Sequence, residues 1–305
     1  MTIFISVLET ALPVVLALLI GMFCRKEQFL SRDGIDALKK TVINITLPAV
    51  LVNALATAQY DRNSVLVPAV IFGACCLALV IGLGLSKLMK LGKLPAFLAT
   101  GFECGMLGYA LFALLFPGEA TSNFAIPDLG QTVFVFTLYK ALLSGKSGKK
   151  AIVKDILTSP IIWAIAAGVL LGATGLYAAM GRWGISGVLD SLTGFISAPT
   201  GMIILLVVGY DLDLKQIKWK DTIGLIALRL VTMAAVLALV LAFDKFVLGS
   251  VMHAGAITLM FLLPPPYVLP IFSTDESQRA RLSSAISALT LMTMILFAVM
   301  AAVLA

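Results

Sequence analysis

Long apolar runs separated by short charged breaks are the main pattern along the chain. Ten of these runs are about as long as the ~20 residues that cross a bilayer as a helix. The pattern predicts an all-α integral membrane protein with ten transmembrane helices, here called spans one to ten. The second and fifth runs are the most polar, so nine spans or a re-entrant segment are the alternatives. The predicted spans cover residues 5–24, 36–57, 66–86, 95–116, 126–144, 156–177, 186–209, 222–243, 251–272 and 282–305.

The composition agrees with a membrane protein. Apolar residues make up 60% of the chain, only 12% are charged, and the mean hydropathy is +1.06. A soluble domain carries about a quarter charged residues because its surface faces water. A soluble enzyme, a nucleic-acid-binding protein and a disordered chain are therefore excluded. The cysteines lie in or beside apolar runs and are expected to be buried hydrophobic residues; they are Cys24, Cys75, Cys76 and Cys104.

Basic side chains are concentrated in alternate loops. The loops after the odd-numbered spans hold eighteen Lys or Arg residues, the other loops hold three, and Arg229 lies inside span eight. The positive-inside rule assigns the richer set to the cytoplasm. We therefore predict a multi-pass protein of the cytoplasmic membrane with both termini outside. The richer set is Arg25, Lys26, Arg32, Lys39, Lys40, Lys87, Lys90, Lys93, Lys140, Lys146, Lys149, Lys150, Lys154, Lys215, Lys218, Lys220, Arg279 and Arg281, and the other set is Arg62, Arg182 and Lys245.

Three short motifs recur in the two halves of the chain in the same order. Because each half holds five spans, an odd number, the second half enters the membrane from the opposite side. The sequence therefore predicts two inverted five-helix repeats, residues 1–150 and 151–305, an arrangement typical of secondary transporters. The matches are Pro13 and Gly21 with Pro160 and Gly168, residues 45–48 with 196–199, and more loosely residues 108–111 with 266–269.

Spans four and nine are predicted to be broken helices that line a substrate site. Transporter sites form where helices break near the membrane midplane. Span four carries three glycines and a carboxylate within residues 101–108, and the three consecutive prolines of span nine cannot continue a helix. Close helix packing is the alternative explanation for the glycines. The predicted lining residues are Gly101, Glu103, Gly105, Gly108, Tyr109, Pro264, Pro265, Pro266 and Tyr267.

Two charged residues lie deep within spans. A charge at mid-membrane costs about 2.5–3.5 kcal/mol, so it should face a cavity or a partner. Glu103 is a candidate proton acceptor coupled to transport, or a substrate-site residue, and its alternatives are a structural pairing with Arg229 and a satisfied polar contact. Arg229 is a candidate counter-ion for a substrate carboxylate. A structural salt bridge and snorkelling are the alternatives for Arg229.

Further polar and proline positions complete the prediction. Asp128 is a second proton-coupling candidate, or a cap at the start of span five. Asn44, Pro48 and Pro199 are added to the predicted lining. Asn44, Asn53 and Asp190 either line a cavity or form bonds between helices. The single histidine, His253, has no second ligand at metal-binding spacing, and neither a metal site nor a cofactor is expected.

Several motifs together resemble the auxin efflux carrier family, whose bacterial branch includes proteins described as malate or malonate permeases. They are the Leu47-Pro48-Ala49 and Asp128-Leu129-Gly130 motifs, the glycine-rich span four and the proline-broken span nine. The resemblance implies an inverted fold related to bile acid:sodium symporters, with spans four and nine crossing. It also implies a scaffold of spans one, two, six and seven, a transport part made of the remaining spans, and often a homodimer.

The expected function is secondary active transport of a small organic acid by alternating access, driven by a proton gradient or the membrane potential. A sodium-coupled organic-anion symporter and a membrane sensor that binds its ligand without moving it are the alternatives. An enzyme is not expected, because an intramembrane protease would need paired carboxylates or a Ser/His pair. The expected partners are the small-molecule substrate and membrane lipid, without nucleic acid.

Overall fold

A computed structural model of the chain describes residues 2–144, 149–212, 217–272 and 276–304. Within these ranges the regular secondary structure is helical and includes no β-strand. This confirms the predicted all-helical class. Two of the predicted cytoplasmic basic residues, Lys146 and Lys215, lie outside the described ranges.

The helices of the described ranges follow one another with short connections. The α-helices are α1 Thr2–Lys26, α2 Arg32–Thr41, α3 Leu47–Ala56, α4 Asn63–Leu88, α5 Tyr109–Leu115, α6 Ser122–Phe134, α7 Lys140–Ser144, α8 Lys149–Thr158, α9 Pro160–Ala173, α10 Leu176–Arg182, α11 Ser186–Ser197, α12 Thr200–Asp211, α13 Trp219–Phe243, α14 Ala254–Leu262 and α15 Glu276–Leu304. Single π-turns cover Val42–Thr46, Cys104–Gly108, Val135–Tyr139 and Asp244–Leu248, and 3₁₀ turns cover Leu94–Ala99 and Leu269–Phe272.

Four helices of the described ranges are long and apolar enough to cross a membrane, and a bent pair adds a fifth. The pair is Pro160–Ala173 with Leu176–Arg182, bent by 62°. These helices agree with a multi-pass membrane protein, while the count of ten and the inverted relation of the two halves stay predictions. The four long helices are Asn63–Leu88, Ser186–Asp211, Trp219–Leu248 and Glu276–Leu304. Of these, Ser186–Asp211 joins α11 and α12, and Trp219–Leu248 joins α13 and the π-turn that follows it.

Several predicted spans are interrupted helices. In span two, α2 passes through the π-turn Val42–Thr46 into α3, which has Pro48 in its first turn. Proline lacks an N–H, so Pro48 cannot complete the regular helical bond to the carbonyl of Asn44. A π-turn placed just before the proline accommodates this missing bond without ending the helix. Proline thus explains why the helix of span two is interrupted by a π-turn.

The described chain forms two compact units, and each draws on both halves of the sequence. Unit 1 comprises Met1–Val65, Gly105–Ile126 and Val153–Asp211, and unit 2 comprises Leu66–Cys104, Pro127–Ile152 and Leu212–Ala305. Unit 1 therefore contains spans one, two, six and seven, which the family resemblance assigns to a scaffold. The repeat boundary at residue 150 stays a prediction, because compactness does not report internal symmetry.

Two closely packed helix pairs organise unit 1. α1 packs along α12, and α3 packs along α9. A Cβ atom on Gly21 would clash with the carbonyl oxygen of Leu206, and one on Gly209 would clash with the backbone of Leu18. On α9, a Cβ on Gly168 would come within 2.8 Å of the Leu55 Cβ. The two glycines of the Pro-to-Gly repeat motif, Gly21 and Gly168, therefore both lie where two helix backbones meet.

Unit 2 brings α4 and α6 together with α13, α14 and α15. Gly130 packs against the carbonyl oxygen of Pro68, so that α6 lies directly on α4. The 3₁₀ turn Leu94–Ala99 packs against α13, and a Cβ atom on Gly82 would meet the Ala99 Cβ at 2.6 Å. These contacts fix the position of the segment that follows residue 99, where the regular helix ends.

Replacing Gly209 by Ala should destabilise the protein, because the added methyl group enters the backbone of α1. Overpacking of this kind costs about 1–3 kcal/mol of unfolding free energy. Gly201→Ala on the same helix is the matched control, since its Cβ would meet its nearest neighbour, the Ala110 Cβ, only at 4.0 Å. Thermal unfolding in detergent should show a lower melting temperature for Gly209→Ala alone. Equal melting temperatures for the two variants would refute the tight α1–α12 contact.

Candidate functional site

Span four loses its helical path at residues 100–103. The 3₁₀ turn Leu94–Ala99 ends at Thr100, which is extended with φ −145° and ψ 163°. Gly101 follows with φ +70°, a left-handed conformation that favours glycine. The Thr100 hydroxyl donates to the carbonyl oxygen of Cys75 at 2.7 Å and anchors the turn to α4. The chain then continues into the π-turn Cys104–Gly108 and α5.

Span nine breaks at its prolines, as the sequence predicts. α14 ends at Leu262, and Leu263 is extended with φ −63° and ψ 152°. The three residues Pro264–Pro266 are buried and carry no regular helix. Three missing N–H donors leave three carbonyl groups without helical partners, and each proline also disfavours a helical conformation for the residue before it. The next regular element is the short 3₁₀ turn Leu269–Phe272.

The two broken segments contact each other within unit 2. The backbone N–H of Glu103 donates to the carbonyl oxygen of Pro264 at 2.9 Å, and the backbone N–H of Tyr267 donates to Glu103 Oε2 at 2.7 Å. A Cβ atom on Gly101 would come within 3.0 Å of Pro266 Cγ. The Tyr267 amide is the first N–H after the proline run, so the Glu103 carboxylate takes the place of a helix cap for it. We call residues 98–103 and 263–267 the crossover.

Arg229 of α13 forms hydrogen bonds with both segments of the crossover. Its Nη1 donates to the carbonyl oxygen of Leu98 at 2.6 Å. Its Nη2 donates to the carbonyl oxygens of Gly101 at 3.0 Å and Leu263 at 2.6 Å. The residue is only 2% exposed, so snorkelling towards water is excluded. Each of these carbonyls lies at a helix break, and one planar guanidinium therefore satisfies both broken segments at once.

A polar cluster on α6 lies next to the crossover. Gln131 Nε2 donates to the carbonyl oxygen of Phe102 at 3.1 Å and lies 3.4 Å from Asp128 Oδ1. Thr132 Oγ1 lies 3.4 Å from the same carboxylate oxygen. Asp128 is 6% exposed and α6 begins at Ser122, so the alternative of a helix cap is wrong. Gln131 and Thr132 are not among the predicted site residues, although their spacing of three and four residues from Asp128 places all three on one helix face.

The remaining predicted lining residues belong to unit 1. Asn44 is exposed and donates to the carbonyl oxygen of Lys40 at 2.8 Å, and Tyr109 is buried with its ring 5.0 Å from that of Phe124. The members of this group are either packed inside unit 1 or exposed on it. A substrate role for them stays a prediction. The other members are Pro48 in the first turn of α3, Gly105 beside Leu47, Gly108 in a π-turn and the exposed Pro199 before α12.

Unit 2 also contains a cavity of about 230 Å³ next to Arg229. Its lining is almost entirely apolar, and Thr293, one of its polar members, donates its hydroxyl to the carbonyl oxygen of Leu262 at 2.6 Å. An apolar cavity of this kind contributes few directional contacts for a charged ligand. Among the described residues of unit 2, the crossover and the α6 cluster offer polar groups that could orient a ligand. The other lining residues are Leu230, Met233, Ala234, Leu237, Phe261, Leu262, Leu263, Leu289, Met292 and Leu296.

Comparison with known proteins finds two archaeal relatives. The chain matches no protein-family model. It is 27% identical over 259 residues to an uncharacterized transporter of Methanothermobacter thermautotrophicus, with 79% of this chain and 81% of that protein covered. It is 26% identical over 232 residues to an uncharacterized transporter of Methanocaldococcus jannaschii, with 72% and 73% covered. Together with the long apolar helices, these similarities support a multi-pass membrane protein.

Proposed function

We propose that this chain is a secondary transporter that moves a small organic acid across the cytoplasmic membrane by alternating access. The observation that carries the proposal is the crossover, in which two interrupted helices meet inside one compact unit. Broken helices at membrane depth expose backbone polar groups, and such groups are tolerated only where they are buried in protein or line a cavity. Secondary transporters build their substrate sites from such segments. The relatives described as transporters support the same class.

The packing of unit 1 agrees with the proposed repeat. In the proposed repeat, span one corresponds to span six, and span two corresponds to span seven. The contact of α1 in span one with α12 in span seven therefore corresponds to the contact of α9 in span six with α3 in span two. Both helix pairs are tightly packed. Two halves of equal fold and opposite orientation can exchange conformations and open one site to either side. In the proposal, spans one, two, six and seven form the scaffold, and the other spans carry the substrate.

The organic-acid substrate is supported by the resemblance to the auxin efflux carrier family, and Glu103 at the crossover requires that such a substrate bind together with a proton. An anionic substrate and an ionised Glu103 repel each other at the crossover. Protonation removes this repulsion, so the binding of a proton and the binding of the anion favour each other by the same factor. The Tyr267 amide bonds to Oε2, so a proton on Oε1 leaves that bond intact. Glu103 is therefore the proposed proton-coupling residue.

The roles of the two other charged residues follow from their contacts. Arg229 is proposed to hold the crossover together rather than to bind the substrate, because its short hydrogen bonds go to three carbonyl oxygens. Asp128 is deeply buried and bonds within the α6 cluster, whereas Glu103 is half-buried. Asp128 is thus the second candidate for proton coupling. A homodimer stays a prediction.

Purified protein in proteoliposomes should take up a small dicarboxylate such as malonate when the outside is acidic. A proton-conducting ionophore should abolish accumulation, and omission of sodium should leave it unchanged. Loss of uptake without sodium would instead establish the sodium-coupled alternative. If no candidate acid moves under a proton, sodium or electrical gradient, while saturable binding persists, the protein is a sensor and the transport proposal fails.

Glu103→Gln should remove the pH dependence of uptake, because the amide oxygen can still accept the Tyr267 N–H but cannot gain a proton. For the wild type we expect the initial rate to change by up to about tenfold per pH unit, the limit for one titrating group. Asp128→Asn is the control and should keep the wild-type pH profile. An unchanged profile in Glu103→Gln would overturn its proton role, and a flat profile in Asp128→Asn alone would transfer that role to Asp128.

A further inference from the structure

A second cavity lies in unit 1 and differs in character from the cavity beside Arg229. Its volume is about 420 Å³, which is within the range of small-molecule sites, and much of its lining is polar. By the predicted orientation it opens at the outer ends of spans two, five, six and seven. We call it the outer cleft; its lining residues are Val50, Asn53, Thr57, Thr121, Tyr177, Asp190, Gly194 and Ser197.

Asp190 is the centre of the hydrogen bonds in the outer cleft. The Tyr177 hydroxyl lies 2.9 Å from both carboxylate oxygens, and Asn53 Nδ2 donates to Oδ1 at 3.2 Å. In the described part of the chain, the hydrogen bonds to Asp190 thus come from neutral groups. A half-buried carboxylate held only by neutral donors keeps its negative charge uncompensated. The cleft therefore presents a localised negative charge to any ligand that enters it.

The donors around Asp190 are already used. The second Nδ2 hydrogen of Asn53 goes to Thr193 Oγ1 at 3.1 Å, and the single Tyr177 hydroxyl hydrogen goes to the carboxylate. The hydroxyls of Thr57 and Ser197 donate to the carbonyl oxygens of Asn53 and Gly194, at 2.8 and 3.2 Å. What remains towards the cleft is acceptor capacity, from the Asp190 carboxylate and the amide oxygen of Asn53. The Thr121 hydroxyl can act as a donor or an acceptor.

We propose that the outer cleft binds a primary ammonium group, on a small amine or on the headgroup of an aminolipid. An ammonium group offers three N–H donors and one positive charge, which match a carboxylate and spare acceptors. An anion would meet the Asp190 charge and find a free donor only in the Thr121 hydroxyl among the described lining residues, so the proposed organic-acid substrate does not bind here. The outer cleft lies in unit 1, whereas the crossover lies in unit 2. The proposed ammonium site therefore does not depend on the proposed transport function.

Gly194 offers a way to block the cleft without disturbing the fold. A Cβ atom on Gly194 would meet no atom within 4 Å, and the same holds for Gly187 on the same helix, α11, which does not line the cleft. Gly194→Leu should therefore fill the cleft, while Gly187→Leu adds the same side chain outside it. Both changes remove a helical glycine, so both variants should fold at least as well as the wild type.

Calorimetric titration of the detergent-solubilised protein with ethylammonium chloride tests the site. We expect saturable binding with one site per chain, loss of binding in Gly194→Leu and wild-type binding in Gly187→Leu. Asp190→Asn should weaken binding by at least about tenfold, because a charge-assisted hydrogen bond is lost. Tetramethylammonium, which has the charge but no N–H donor, should bind at least about tenfold more weakly than ethylammonium.

Several results would overturn the proposal. They are an absence of ethylammonium binding to the wild type, equal binding by Gly194→Leu and the wild type, and equal affinity for the two cations. Nanodiscs distinguish the two sources of the ammonium group. Competition by phosphatidylethanolamine, but not phosphatidylcholine, would identify a lipid headgroup as the occupant, and undiminished ethylammonium binding in both lipids would identify a free amine.

Discussion

The fold of unit 2 depends on how backbone carbonyls are satisfied where two membrane helices break. Inside a bilayer no water reaches such groups, and each unpaired one costs several kcal/mol. The proline run of span nine and the turn of span four both create carbonyls without helical partners. Arg229 satisfies three of these groups, because it donates hydrogen bonds to the carbonyl oxygens of Leu98, Gly101 and Leu263 at 2.6, 3.0 and 2.6 Å. Its guanidinium suits this position because it presents several donors in one plane and stays charged when buried.

The same constraint explains the residues around Arg229. Glu103 accepts the amide of Tyr267 and donates its own amide to Pro264, so each broken segment completes the bonds of the other. Gly101 supplies the left-handed turn and the space in which Pro266 packs. A crossover held in this way can act as one rigid part, which a carrier needs if its site is to face either side in turn. A single buried arginine thus links the helix breaks to the proposed transport mechanism.

The breaks could be predicted from the sequence because they come from local chemistry, namely three prolines in span nine and a glycine-rich stretch in span four. The partners of Arg229 could not be predicted, since a carbonyl acceptor has no signature in the order of side chains.

Asp128 resembles a cap in the sequence only because the predicted span five begins at residue 126, whereas α6 begins at Ser122. Local sequence also does not reveal that the chain passes from unit 2 into unit 1 at Gly105, so that Tyr109, although it lies in the same predicted span as Glu103, belongs to the other unit. For Asn53 and Asp190 both alternatives apply, since the two side chains bond to each other and line a cleft.

Hydrogen exchange of Arg229→Met tests the role of Arg229 most directly. Exchange of the wild type and the variant would be followed by mass spectrometry in peptides covering residues 98–108 and 263–272, with α1 and α12 of unit 1 as the internal reference. The account predicts faster exchange at the crossover, wild-type exchange in the reference helices, and an unfolding free energy lower by at least about 3 kcal/mol, since three carbonyls lose their donor. Arg229→Lys should be intermediate, and Arg182→Met, which removes an exposed arginine, should behave as the wild type. Wild-type exchange and stability in Arg229→Met, combined with lost uptake, would contradict the account and make Arg229 a counter-ion of the substrate.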